Sequence, residues 1–231
     1  MLLKTLALSP VLVPQALWTM ARASRLPEAA GPRAGRTGAG PPLRLLILGD
    51  SSAAGVGAGH QSEALSGHLA GALARDHAVT WRLEAASGAT VKTTRRRIAA
   101  MEAEDCDAVL IALGVNDTKN GVSAHRWSSG YRALLGDIQR RFGSPRIAVS
   151  GVPDLGVFPL LPQPLRSVLG ARSRALDGLL REIVQDTPEA HYVPMDFTPD
   201  PATMAADGFH PGPAIYAAWA ARAAEVLTPA R

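Results

Sequence analysis

From Leu43 onward, short apolar runs alternate with stretches of helical periodicity, and few folds accommodate that order. The first run is Leu43-Arg44-Leu45-Leu46-Ile47-Leu48, and a later one is Ala108-Val109-Leu110-Ile111-Ala112-Leu113. Runs too short for helices and almost uninterruptedly apolar suit strands buried on both faces. We place strands near 43–48, 78–84, 107–113, 146–151 and 190–194. Ser62 can cap a helix whose Leu65, Leu69, Ala72 and Leu73 share one face. Further helices are expected near 90–103, 124–142 and 166–185, and a last one begins at Pro213 and turns Ile215, Trp219 and Val226 inward. Right-handed crossovers between parallel strands then predict an α/β fold, a three-layer α/β/α sandwich on a five-stranded sheet.

Residues 26–42 are rich in glycine and proline without periodicity and read as a linker, so the expected division is 1–42 and a single domain at 43–231. The net charge of +4 invites a nucleic-acid reading, and Arg95-Arg96-Arg97 could meet phosphates. Aromatics at 5% and the lack of interleaved stacking residues argue against it, so the triplet reads as a solvated helix face. Cys106 is the only cysteine, which rules out an internal disulfide and argues against a zinc site built on thiolates. The six histidines show no metal spacing, and no metal is implied.

Met1 to Met20 is largely apolar, with Pro10 and Pro14 breaking the stretch and Arg22 and Arg25 following. It reads first as an uncleaved segment that packs on the domain or touches a membrane surface, then as a signal peptide, then as a span. The expected location is accordingly cytoplasmic or membrane-associated, with export as the alternative. Oligomeric state leaves no trace in the sequence.

In open parallel sheets ligands bind beyond the carboxyl ends of the strands, and polar clusters stand there. Gly49-Asp50-Ser51-Ser52 follows the first strand, Ser87-Gly88-Ala89 the second and Gly114-Val115-Asn116-Asp117 the third. Far downstream, Asp207-Gly208-Phe209-His210 sets a carboxylate three residues before an imidazole. A serine hydroxyl needs a base, and a base needs a group to fix its tautomer, so Ser51, His210 and Asp207 form a candidate catalytic triad. Acyl transfer also builds charge on a carbonyl oxygen, for which the Ser51 and Gly88 amides and the Asn116 side chain are candidate donors. Asp50 and Asp117 read as braces for their loops. The run Gly55-Val56-Gly57-Ala58-Gly59-His60 has histidine where GxGxxG needs its third glycine, so it reads as loop freedom beside Ser51. The apolar, proline-rich segment 152–162 is either a stiff connector or the wall of an acyl pocket. In the second case Phe158 and Leu161 are substrate-binding candidates, and the acyl chain exceeds acetyl.

These blocks, in this order from about Leu43 to the last helix, resemble the SGNH or GDSL-type hydrolase superfamily. By motif, Ser51 matches the nucleophile, Gly88 and Asn116 the second and third blocks, and Asp207 with His210 the last; Ser52 stands where the family name has leucine. The resemblance implies a flavodoxin-like sheet, no nucleophile elbow, no cofactor, and esterase, lipase, thioesterase or carbohydrate-deacetylase activity on a small-molecule ester. Transfer of the acyl group to another acceptor, and a non-catalytic α/β binding module, are the competing readings.

Overall fold

The computed structural model describes residues 10–19 and 26–228. All five expected strands are present and mutually parallel: β2 (Pro42–Gly49), β3 (Ala78–Ala85), β4 (Ala108–Ala112), β5 (Arg146–Ser150) and β6 (Ala190–Val193). A sixth, β1 (Ala34–Thr37), pairs antiparallel with β3 inside the stretch read as a linker. The sheet order is β1-β3-β2-β4-β5-β6, so the parallel strands follow the doubly wound, flavodoxin-like order.

Side-chain alternation explains the apolar runs. Leu45 and Ile47 of β2 and Leu110 of β4 enter one core with α2 (Leu65–Leu73) and α7 (Pro213–Leu227). Leu46, Leu48, Val109 and Ile111 enter the other, with α3 (Val91–Ala100), α5 (Ala124–Phe142) and α6 (Leu165–Gln185). Both faces are covered, so from Leu45 to Leu48 of β2 and throughout β4 every residue is apolar and buried; Arg44, near the start of β2, is exposed and pairs with Asp107. Each such Leu or Ile contributes about 1.5–3 kcal/mol over an exposed position.

The helix ends have local causes. Thr90 and Thr93 form a reciprocal capping box on α3, and Ser123 caps α5 by accepting the Arg126 N–H. Pro213 occupies the first turn of α7, where its missing N–H costs nothing. The expected Ser62 cap is not found: α2 starts at Leu65 after a 3₁₀ turn, Gln61–Glu63. The cause is Gln61, whose buried side-chain amide donates to the carbonyls of Ala29 and Ala54 and so holds those residues in a separate turn. A short helix, α4 (Val115–Lys119), also replaces the expected loop after β4.

Residues 10–19 form helix α1, packed on the domain. Leu12 joins Leu155, Phe158, Leu161 and Leu165 in a third apolar cluster. The Gln15 side chain donates to the Gln163 carbonyl and accepts the Leu165 N–H. Its outer side carries exposed Val11, Val13, Leu17 and Trp18, and exposed Val157 comes from the segment against which Leu12 packs. No helix among the described residues is long and apolar enough to cross a membrane. Residues 1–9 and 20–25, which include Arg22 and Arg25, lie outside the described residues.

Candidate active site

The chain leaves β2 through a tight turn at Gly49. Asp50 N–H donates to the Ala112 carbonyl, and Asp50 Oδ1 accepts the Ser52 N–H, so Ser51 is held at the strand's carboxyl end. Asp50 is buried; that burial raises its pKa to about 6 even though Ser52 N–H and the nearby His210 and Lys119 pull it down. The loop beyond Ser51 needs its glycines: at Gly57, φ is +102°, and a Cβ would stand 2.3 Å from the Pro211 carbonyl oxygen. This close approach draws the 207–211 segment against the Ser51 loop.

In that segment a single turn organises Asp207 and His210. Asp207 Oδ1 accepts the N–H groups of Phe209 and His210, each at 2.9 Å, and Oδ2 accepts His210 Nδ1–H at 2.5 Å. Burial alone would raise the Asp207 carboxyl, but the ring and backbone donors outweigh it and hold its pKa below the ordinary value. The other ring nitrogen, Nε2, lies 2.9 Å from Ser51 Oγ. Three side chains from two distant parts of the chain thus form one hydrogen-bonded line. It has the geometry for a hydroxyl whose proton passes to an oriented imidazole.

The candidate donors face the same space. Gly88 adopts φ +82° in the turn after β3, with nothing within 4 Å of where a Cβ would be. The turn is tied down by Glu28, which accepts the Ser87 N–H and hydroxyl and pairs with Arg33. Asn116 rides on α4, aimed by Gly114, where a Cβ would meet Val152 at 2.5 Å. One Asn116 amide proton goes to the Ala89 carbonyl at 2.9 Å; the contact to Asp50 Oδ2 is long, 3.4 Å, and leaves the second weakly held. Asp117 Oδ2 accepts the Val91 N–H and braces α4 against α3, and burial raises this carboxyl to about 6 as well.

Two cavities flank Ser51. The larger, about 670 Å³, is lined by Gly88, Asn116, Lys119, Leu161 and His210, with Thr19 of α1 on its far wall. The smaller, about 70 Å³, runs between Phe158, Met195, Phe197, Met204 and Trp219. Phe158 and Leu161 therefore border different cavities while also packing in the cluster with Leu12. Among the described residues no group of three or more His, Cys, Asp or Glu is placed to hold a metal ion.

Sequence reasoning overlooked Glu28, Thr19, Lys119 and the Met195–Phe197 wall. Lys119 carried a usable signal, since a residue three after Asn116 shares its helix face. Glu28 carried none, because its role depends on the Ser87 turn reaching a segment 59 positions earlier.

A family model described as the GDSL-like lipase/acylhydrolase family matches residues 47–218, from within β2 to within α7. The GDSL-like esterase Rv1075c of Mycobacterium tuberculosis is 32% identical over 189 residues, covering 76% of this chain. The chain spans 58% of that relative's length. Among solved structures, the psychrotrophic esterase EstA of Pseudoalteromonas sp., inhibited by monoethylphosphonate, is similar with a TM-score of 0.61 at 23% identity, covering 78% of this chain and 93% of its own. TesA has a TM-score of 0.66 at 21% identity, covering 80% of this chain and 98% of its own. Both structural likenesses concern the fold.

Proposed function

The chain belongs to the GDSL-like lipase/acylhydrolase family, and from that premise we propose that it is a serine esterase cleaving carboxylic esters through an acyl-enzyme. The observation that carries this reading is the 2.9 Å contact between Ser51 Oγ and His210 Nε2 across 159 positions of sequence. His210 takes the hydroxyl proton as Ser51 Oγ attacks the ester carbonyl, and Asp207 stabilises the imidazolium that forms. Charge on the carbonyl oxygen is met by the Ser51 and Gly88 N–H groups and the Asn116 amide proton that Asp50 holds only weakly, each worth about 2.7–4 kcal/mol in the transition state. Collapse expels the alcohol, which leaves with the proton from His210. Water then attacks the acyl-enzyme by the same route in reverse roles, releasing the acid and restoring Ser51.

The two cavities meet at Ser51, so one receives the acyl chain and the other the alcohol. The apolar lining at Phe158 and Leu161 supports acyl chains longer than acetyl on either assignment. A fluorophosphonate probe should label Ser51, and Ser51→Ala should abolish both labelling and hydrolysis of p-nitrophenyl butyrate while leaving the thermal transition in place. A folded Ser51→Ala variant that keeps most of its turnover overturns the reading.

A further inference from the structure

The cavity that holds Ser51 and His210 is also lined by Lys119 and Asn120. Asn120 borders in addition a second recess, about 1230 Å³, which runs between α3 and α5 past Lys92, Arg96 and Arg126. The reaction centre and this cationic trough therefore meet at one residue.

The charges in the trough are of two kinds. Arg95 and Arg140 both pair with Asp137, and Arg141 donates to the Met101 carbonyl. Among the described residues, the side chains of Lys92, Arg96 and Arg126 have no hydrogen bond or ion pair, and all three are exposed. The first group is structural; the second is uncommitted.

Lys119 lies nearer the chemistry. Its ammonium sits 5.3 Å from the centre of the Phe209 ring, the residue before His210, and has no hydrogen-bond acceptor or ion pair among the described residues. Crowding by the surrounding protein lowers its pKa, and the attraction of Asp50 only partly opposes this. Lys119 is nonetheless exposed on the cavity wall, so its charge is open to an arriving anionic oxygen in the space that holds Ser51. A neutral ester offers it nothing.

We propose that this site selects esters whose non-reacting end carries a carboxylate or phosphate, with Lys119 as its first contact and Arg96 and Arg126 holding a longer or doubly charged group beyond Asn120. The proposal rests on the esterase reading above and adds the substrate class. Lys119 acts in specificity and takes no part in bond cleavage. The shared chemistry is an anion on an ester, whether the molecule is a soluble acid or an amphiphile with a phosphate head.

The test compares kcat/KM for matched pairs of substrates. Phenyl butyrate against 4-butyryloxybenzoate puts the anion on the alcohol, and p-nitrophenyl butyrate against mono-p-nitrophenyl glutarate puts it on the acyl group. Monoacylglycerol against lysophosphatidic acid asks whether the phosphate source is lipid. The expected result is an anionic-to-neutral ratio that falls about tenfold in Lys119→Met in at least one pair, is restored by Lys119→Arg and is eroded by salt. Arg96→Glu with Arg126→Glu should lower the ratio most for the phosphate pair. A ratio that moves less than twofold in every pair overturns the proposal while leaving the esterase reading intact. Wild-type protein that hydrolyses none of the six esters and takes no fluorophosphonate label overturns both.

Discussion

Replacing Asp207 by Asn tests the line of three side chains at its least forgiving point. The two carboxylate oxygens have separate duties: Oδ1 accepts two backbone N–H groups and Oδ2 accepts the imidazole Nδ1–H. Asparagine has one acceptor, and the two backbone donors fix it at the Oδ1 position. The amide NH2 then faces Nδ1 and forces the proton of the neutral ring onto Nε2. That nitrogen points at Ser51, and a protonated Nε2 accepts nothing. The expected loss in kcat near neutral pH is about 10⁴-fold, or about 5.4 kcal/mol at 1.36 kcal/mol per decade. The turn itself survives, because Phe209 and His210 keep their acceptor; the lost charge-assisted bond costs about 1.5–3 kcal/mol of stability. Asp207 is held below its ordinary pKa, so its contribution is present above the unfolded value and lost as pH falls through the folded one. The stability gap between the two proteins should therefore begin to narrow as pH falls below about 4. Steady-state hydrolysis of p-nitrophenyl butyrate and urea melts at pH 3.5 and 7 read both effects. A folded Asp207→Asn enzyme within tenfold of wild-type kcat refutes the reasoning.

Asp50 should behave with the opposite sign. Burial lifts it to about 6, so the stability it contributes is full below the unfolded pKa of a carboxyl and drains away as pH rises through 6, by about 3 kcal/mol in all. Asp50→Asn should remove that slope between pH 4 and 7, and parallel urea-midpoint profiles for the two proteins would contradict it. Deleting residues 1–25 takes Thr19 from the cavity wall and uncovers the apolar cluster around Phe158. The truncated form should lose about 1.5–3 kcal/mol of stability, the value of burying Leu12, and should show raised KM for long-chain esters. Liposome flotation of both forms reads whether exposed Val11, Val13, Leu17 and Trp18 bind a lipid surface; we expect only the full chain to float.

The strands were readable because burial on both faces leaves no room for polar residues, as Leu46 and Ile47 show by entering opposite cores. β1 was unreadable for the converse reason. It adds to the free edge of β3 through main-chain pairing, and Gly35 lies there because a Cβ would stand 3.1 Å from the Trp81 indole nitrogen. A four-residue strand, Ala-Gly-Arg-Thr, with no buried side chain shows no periodicity. Ser51, Asp207 and His210 announced themselves through residue type and position after apolar runs. Ser62 misled, since the residue that decides the start of α2 is Gln61, and its partners Ala29 and Ala54 lie in other segments. The Met195–Phe197 wall was silent: nothing local marks residues after β6 as facing Ser51, and only the crossing of α7 beneath them does so.

The join between Gly57 and Pro211, reinforced by the Tyr216 hydroxyl donating to the Val56 carbonyl at 2.6 Å, has a consequence for how the chain matures. Nucleophile and base come from opposite ends of the domain and converge only when the C-terminal helix seats against the first crossover. A nascent or partly denatured chain can own every strand of the sheet and still be inert. Turnover is therefore a reporter of completed packing, and recovery of activity after dilution from urea should trail the return of helical circular dichroism.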